Sequence, residues 1–286
     1  LNTLFKTNYS SNLTLRSTLE PFKQFRIELT ANKTKSLNSQ EYWRADSLGS
    51  FQSFSPIETG GFSVSIISWS TAFLKVDEQY SSKTFAQFRN YRNEIAKRLA
   101  AENPDFNGGL NPLTGFPIEY KIPGDTSSPI VGGYGPTSQD VMIPAFIAAY
   151  TGKDAIGVSL NKFPKIPLPN WRITYDGLTK IKFIKRYFET FTLGHAYRSS
   201  YSVGSFSSNL DYKDENGDVQ MNLNNMSYHS KYDIAQVSIN EQFSPLFKLD
   251  MTWKNSLVTR FEIKKSRMLS LSLSNNQLTE IASNEY

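Results

Sequence analysis

Large apolar residues alternate with polar ones along much of this chain, and this pattern constrains the fold more than any other feature. It runs through residues 1–73 and again from residue 170 to the end. Such a period of two is typical of β-strands whose two faces meet different surroundings. The apolar members that share a face within these runs include Leu13, Leu15, Phe25, Ile27, Leu29, Phe247, Leu249, Met251, Leu269, Leu271 and Leu273. The sequence therefore predicts a mainly β protein with short polar hairpin turns.

Residues 74–169 lose the alternation and carry helix signals instead. One set of apolar residues recurs at steps of three and four, which predicts a helix that ends before Asn103. The face of this helix is formed by Phe85, Phe88, Ile95 and Leu99. We therefore divide the chain into strands over 1–73, an insertion of helix and Gly/Pro-rich loop over 74–169, and strands over 170–286.

A second helix is predicted to begin at Thr137, because Thr137 and Asp140 have the spacing of a capping box. This helix carries Phe146 and Ile147 on its apolar surface. Pro144 is expected to kink or restart it, since proline lacks the amide that an inner helical turn needs. A C-terminal stop is expected at residue 152, after which proline-rich chain leads to the next strand.

Composition excludes several classes of protein. The chain of 286 residues contains no cysteine, which rules out a disulfide framework and a cysteine nucleophile within it. No apolar run approaches the roughly 18 residues of a membrane-spanning helix. The net charge of +5 is spread along the chain, so we expect no nucleic-acid partner.

The sequence also contains no constellation that indicates catalysis. His195 and His229 are the only histidines, and neither has the spacing of a metal or triad site. The acidic stretch 214–218 lacks the first and last ligands of a calcium loop and is interpreted as a hairpin tip. We therefore predict no enzyme activity and no cofactor.

The length of the alternating runs and the difference between their two faces help to distinguish a soluble sheet from a transmembrane barrel. Runs such as 25–36 and 188–206 exceed the five or six residues that are usual in soluble sheets. Their polar face is charged or hydroxylated, as in strands that separate lipid from water. These features favour the wall of an antiparallel transmembrane β-barrel, incomplete and open in this chain, with a helix-and-loop insertion. A soluble β-sandwich stays open as an alternative.

Several long motifs, taken together, resemble one known family. They are GYGPTSQDVMIPAFIAAYTGKD at 133–154, FPKIPLPNWRITY at 163–175, GHAYRSSYSV at 194–203, EQFSP at 241–245, KKSR at 264–267 and LSLSLSNNQLTE at 269–280. In content, order and spacing they resemble the SprA/Sov family, the gliding-motility and type 9 secretion translocon of Bacteroidota. The resemblance spans essentially the whole chain.

This resemblance implies that the chain is a late part of a very large barrel in the bacterial outer membrane. Folded cargo proteins that bear a C-terminal secretion signal would pass through that barrel. Its implied partners are outer-membrane lipid, the exported cargo, a partner outer-membrane barrel and a periplasmic plug protein.

In such a wall the eleven apolar residues listed above, from Leu13 to Leu273, would face lipid. The charged residues that alternate with them would line a water-filled lumen. Candidates for the interfacial aromatic girdles are Trp171, Tyr175, Tyr201 and Trp253. Because irregular backbone is not tolerated against lipid, the insertion is expected in the lumen or in an aqueous cap.

Two other functions remain open at this point. One is an uptake barrel of the TonB-dependent type. The other is a soluble, secreted β-sandwich that binds glycans through Trp43, Trp69, Trp171 and Trp253.

Overall fold

The structure, a computed structural model, describes residues 3–45, 49–74, 82–103, 106, 108–121, 130–213, 220–222 and 227–286. Its strands are β1 Thr3–Phe22, β2 Phe25–Ala45, β3 Phe51–Ser65, β4 Gly109–Leu110, β5 Pro117–Lys121, β6 Ile130–Gly133, β7 Asn170–Tyr175, β8 Phe188–Ser208, β9 Met221–Asn222, β10 Ser227–Tyr228, β11 Tyr232–Ile234, β12 Gln236–Trp253, β13 Val258–Ser272 and β14 Gln277–Glu285. Its α-helices are α1 Lys83–Glu102, α2 Gln139–Thr151 and α3 Lys182–Tyr187. Two short 3-10 helices cover Trp69–Thr71 and Gly177–Lys180.

The alternating runs form one antiparallel sheet, which confirms the prediction of a mainly β fold. The strands lie in the order β1-β2-β3-β8-β12-β13-β14, and β7 and β11 attach beside this path. Six of them, β1, β2, β3, β8, β12 and β13, are 15 to 21 residues long. Within the described residues no pairing joins β1 to β14, so these two strands are the edges of the sheet.

One position in this sheet is shared by two strands. β3 pairs with β2 as far as Lys33, and β7 continues from Thr30 down to Phe25 in the same direction. Both also pair with β8. β3 and β7 are therefore two halves of one interrupted strand, and the chain leaves the sheet at mid-height over residues 66–169. The strand ends at Ser65, earlier than the predicted boundary at residue 73.

Hydrogen bonds close the break in the interrupted strand. The Ser65 carbonyl accepts from the Leu168 amide at 2.8 Å, and the Ser65 hydroxyl donates to the Leu168 carbonyl at 2.6 Å. The Asn170 side-chain oxygen accepts from the Ser199 amide at 2.8 Å. The insertion thus leaves the sheet and returns without leaving these backbone groups unsatisfied.

The two predicted helices are present, with differences in detail. α1 ends at Glu102, as expected from its periodicity. α2 has Ser138 as its N-cap with no side-chain cap bond, so the predicted capping box is wrong. The helix also runs through Pro144 without a restart. It is buried on all sides, and this packing outweighs the roughly 3 kcal/mol that an interior proline costs. Gly152 ends α2 in a left-handed conformation, as predicted.

α2 and part of α1 pack on one face of the sheet and form the main core with it. Of the predicted helix-face residues, Phe88, Ile95, Phe146 and Ile147 are buried in this core, and Leu99 packs against it. Phe85 is exposed instead, and its ring contacts that of Phe88 at 6.1 Å between centroids. A second, small sheet in the order β4-β5-β6-β10-β9 joins the insertion to the segment between β8 and β11.

Candidate functional site: the apolar face of the sheet

The strand register places all eleven predicted lipid-facing residues on the same face of the sheet. Leu15 lies opposite Ala31, Leu249 opposite both Leu193 and Phe261, and Leu271 opposite Val237. The bulge in β12 between Phe243 and Phe247 keeps the residues on either side of it on this same face. The single apolar face that the alternation predicts is therefore real.

Part of this face is covered by the insertion. Leu269 and Leu271 are 0% exposed and share a core with α2, and Leu273 packs against that core. Tyr201, also fully buried, donates its hydroxyl hydrogen to the Lys162 carbonyl at 3.0 Å. The predictions of lipid contact for Leu269 and Leu271 and of a girdle position for Tyr201 are wrong, because the insertion already occupies that surface, whereas Leu273 is only half-buried. We call this region the covered half.

The rest of the face is not covered by any described element. Leu13, Leu15 and Phe247 are exposed there, and Phe25, Ile27, Leu29, Leu249 and Met251 are half-buried. Further exposed apolar side chains on this surface are Leu19, Phe22 and Phe261. We call this region the open half. Contiguous apolar surface of this kind marks contact with a membrane or with another protein.

The end of the sheet beside the open half has short connections. β1 and β2 are joined through Lys23 and Gln24, and β12 and β13 through residues 254–257. We call this end the turn end. Aromatic side chains gather there: Phe22 stacks on Phe25 at 4.7 Å between ring centroids, and Phe188 lies 4.2 Å from Trp253.

A second row of aromatic rings crosses the sheet at mid-height, where the covered and open halves meet. Trp171 stacks on Tyr197 at 4.4 Å, Tyr197 lies 4.9 Å from Phe243, and Phe243 lies 5.1 Å from Phe73. Trp69 completes the row by meeting Trp171 edge-on at 6.2 Å. Two aromatic borders therefore enclose the open half.

The opposite face of the sheet is mostly polar, although exposed apolar side chains such as Met268 and Ile281 also lie on it. Asp250 forms ion pairs with Lys248 at 2.7 Å and with Arg260 at 2.8 Å on that face. The hydroxyls of Ser63 and Ser202 are 3.1 Å apart on neighbouring strands. The insertion lies on the apolar face and not on this one. Its expected place in a lumen or in an aqueous cap stays a prediction.

A buried ion pair fixes the insertion to the sheet. Glu241 of β12 and Arg267 of β13 are 1% and 5% exposed, and the Arg267 Nη2 and Nε atoms lie 2.9 and 3.0 Å from Oε2 of Glu241. The other carboxylate oxygen accepts from the Ser68 hydroxyl at 2.6 Å and from the Tyr197 hydroxyl at 3.0 Å. Both buried charges are thus paired and hydrogen-bonded, as burial requires.

The same pair holds the first turn of the insertion. Arg267 donates to the Thr71 carbonyl and to the Thr71 hydroxyl at 2.9 Å each, and to the Ser68 carbonyl at 3.3 Å. The Thr71 hydroxyl in turn donates to the Tyr150 carbonyl of α2 at 2.8 Å. We name this group the Glu241–Arg267 cluster. It connects β12 and β13 to the 3-10 helix Trp69–Thr71 and to α2.

Sequence reasoning missed this cluster, although a signal was present. Glu241 and Arg267 occupy positions in their strands where the alternation calls for an apolar residue. They also belong to two separate motifs of the family resemblance. A charge of each sign at apolar positions of neighbouring strands indicates a buried pair.

In segment 66–74, where the insertion begins, polar side chains are buried and several large apolar side chains are exposed. Its small polar residues Ser68 and Thr71 point inward to the Glu241–Arg267 cluster. Ile66 is buried in the main core, but Trp69, Phe73 and Leu74 point outward and are 55%, 49% and 48% exposed. Outward apolar side chains extend the open half onto the insertion.

A polar cleft of about 720 Å³ lies at the other end of the sheet, beside the start of α2. Burial, together with a hydrogen bond to Glu58, raises the pKa of Tyr232 nearby to about 12. Burial also raises the pKa of Asp233, although His229 and Lys162 oppose this shift. Hydroxyl and amide side chains line most of the cleft, and one of them, Ser230, donates its hydroxyl hydrogen to the Asp140 carboxylate.

The residues proposed for other functions are not brought together. Trp43 and Trp253 lie toward opposite ends of the sheet, and only Trp69 and Trp171 are neighbours, so the four tryptophans do not form one glycan platform. His195 contacts the Leu246 carbonyl at 2.7 Å. Among the described residues, no group of three or more histidine or acidic side chains is arranged to hold a metal. The acidic stretch 214–218 lies outside the described residues.

Comparison with known proteins does not assign the chain to a family. No protein-family model matches the chain, and no curated protein matches it. In the parts of the chain that the structure describes, every helix is too short or too polar to cross a bilayer. The fold and surface define a mainly antiparallel β protein with one polar face and one apolar face that is half open.

Proposed function

We propose that this chain forms part of the wall of a large outer-membrane β-barrel that exports folded proteins in type 9 secretion and gliding motility. The observation that carries the proposal is the open half, an apolar surface bordered by two rows of aromatic rings and backed by a polar face. Lipid contact suits the first surface and an aqueous pore suits the second.

The dimensions of the open half support this proposal. Along β8 it extends from Phe188 to Tyr197, a span of about 30 Å at 3.3 Å per residue. A strand tilted by roughly 45° needs about 9 to 11 residues to cross a bilayer core. Trp171, Tyr175 and Trp253, three of the predicted girdle residues, are half-buried at or near the borders of this region.

The family resemblance supports the specific function. Motifs that lie far apart in the sequence supply Glu241, Arg267 and Tyr197, which meet in one buried cluster. Under this proposal the chain catalyses no reaction, and its partners are lipid, exported cargo, a second outer-membrane barrel and a periplasmic plug. A membrane sheet cannot leave its edges unpaired, so β1 and β14 would pair with further strands.

The test compares two neighbouring positions on opposite faces of β12. The variants Phe247→Cys and Lys248→Cys are made in the full chain, purified in lipid bilayers and labelled with bimane. These 286 residues contain no other cysteine. Spin-labelled lipid should quench the label at 247, and aqueous iodide should quench the label at 248.

Quenching of both labels by iodide and of neither by lipid would overturn the proposal in favour of a soluble β-sandwich. An immunoblot of cell fractions with an antibody to residues 241–286 provides an independent check. We expect the signal in the outer membrane, whereas a signal in the soluble or secreted fraction would contradict the proposal.

A further inference from the structure

The connection between β7 and β8 at the turn end combines positive charge with exposed apolar side chains. Residues 180–187 read KIKFIKRY and contain no acidic residue. Lys180, Lys182, Lys185 and Arg186 are all exposed, and none of them forms an ion pair with a described carboxylate. The segment therefore presents four cations that the described protein leaves unneutralised.

The same segment exposes its large apolar residues. Ile181, Phe183 and Tyr187 are exposed, and Phe183 is 70% so. The ring of Phe183 meets that of Tyr187 edge-on at 5.4 Å, and the guanidinium of Arg186 lies 5.7 Å from the Tyr187 ring centroid. Lysine and arginine beside outward aromatic rings are typical of segments that lie in a membrane interface.

The segment is held in place beside the open half. The Tyr187 carbonyl accepts from the Lys254 amide in the neighbouring turn at 3.0 Å. Phe188, the next residue, belongs to the aromatic border at the turn end. Lys23 and Lys254, on the two adjacent turns, add exposed positive charge at this end. The four cations thus lie just beyond the edge of the apolar surface.

We propose that segment 180–187 binds the phosphate groups of anionic phospholipids at the surface of the bilayer. Lys182, Lys185 and their neighbours contact the headgroups, and Phe183 inserts at the boundary between headgroups and acyl chains. This inference rests on the proposed function, which brings the turn end to the membrane surface. Charge complementarity favours an anionic lipid over a zwitterionic one.

The experiment places a bimane label at Thr179→Cys, beside the segment, in the full chain. The protein is reconstituted in phosphatidylcholine vesicles that contain spin-labelled phosphatidylglycerol or spin-labelled phosphatidylcholine at equal mole fraction. Phosphatidylglycerol should quench more strongly. A membrane-surface cation contributes about fivefold to the affinity for anionic lipid, so Lys182→Gln with Lys185→Gln should lower the preference by about 25-fold.

The matched control is Lys153→Gln with Lys165→Gln, which removes the same charge from exposed positions on the insertion. It should leave the preference unchanged. Equal quenching by the two lipids in the unmodified segment would overturn the inference.

The label at Phe247→Cys separates this inference from the proposed function. Lipid quenching at position 247 with none at position 179 would assign the segment to water or to a protein partner, and would overturn only this inference. Absence of lipid quenching at both positions would overturn the barrel wall as well.

Discussion

Removing one member of the buried Glu241–Arg267 pair should loosen the start of the insertion. Each single change leaves the other charge in a site that is almost inaccessible to water, which costs about 3 to 5 kcal/mol. In Glu241→Gln, Arg267 keeps three acceptors on Ser68 and Thr71 and a weaker ion pair with Glu280 at 3.8 Å, so we expect the lower end of this range. In Arg267→Met, Glu241 keeps only two hydroxyl donors, so we expect the upper end.

Thiol labelling measures this loosening directly. Ala72 is buried between Tyr197 and Phe243, so a cysteine at position 72 reacts only when the segment opens. Each 1.36 kcal/mol changes the opening equilibrium about tenfold. The labelling rate should therefore rise about 150-fold in Glu241→Gln and up to about 5,000-fold in Arg267→Met. The rate is measured where closing is faster than labelling, so that it reports the opening equilibrium.

Two comparisons make this prediction refutable. The exposed pair Lys264–Glu285 joins β13 to β14 at 3.5 Å, and Glu285→Gln should change the labelling rate by less than about fivefold. The double variant Glu241→Leu with Arg267→Met leaves no buried charge at the cluster, and the Glu280 side chain that loses Arg267 is 33% exposed. It should therefore label more slowly than Arg267→Met alone. Equal rates in Glu241→Gln and Glu285→Gln, or additive effects in the double variant, would refute the reasoning.

Three further predictions follow from burial and from the two faces. Leu271→Ala should lower the free energy of unfolding in urea by about 2 to 5 kcal/mol because it opens a cavity beneath α2, whereas Leu257→Ala in an exposed turn should change it by less than about 0.5 kcal/mol. Phe247→Arg should raise the free energy of folding into a lipid bilayer by up to about 2 to 4 kcal/mol, and Thr252→Arg on the opposite face should raise it far less. Folding into lipid vesicles measures both free energies, and equal effects would contradict the assignment of the two faces. Because the pKa of Tyr232 is raised to about 12, its contribution to stability should be complete below pH 10 and lost as the pH rises through 12; the difference in tyrosinate absorbance between the protein and Tyr232→Phe should show this titration, and a midpoint near 10 would contradict it.

The sequence by itself determined the strands and their faces. Alternation at every second residue leaves one geometry open to a half-buried strand, so 13 and 15 must share a face, as must 247, 249 and 251. Steps of three and four determined α1, and Gly152 determined the end of α2. These are local rules that depend on the backbone period and on the conformational freedom of single residues.

Only the tertiary structure decided which part of the apolar face is covered. Leu249 and Leu271 occupy equivalent places in the pattern, yet one lies in the open half and the other is buried under α2. Sequence pattern cannot separate them, because lipid, a protein core and a partner surface are all apolar and select the same side chains.

The interruption of one strand between Ser65 and Asn170 determines which part of the apolar face is covered. It makes the insertion leave the sheet at mid-height, so that it covers one half of the face and leaves the other half open. The Glu241–Arg267 cluster has the same origin, since contacts between residues 26 positions apart depend on the register of β12 with β13. Long-range register, which no local pattern specifies, therefore places the surface on which the proposed function depends.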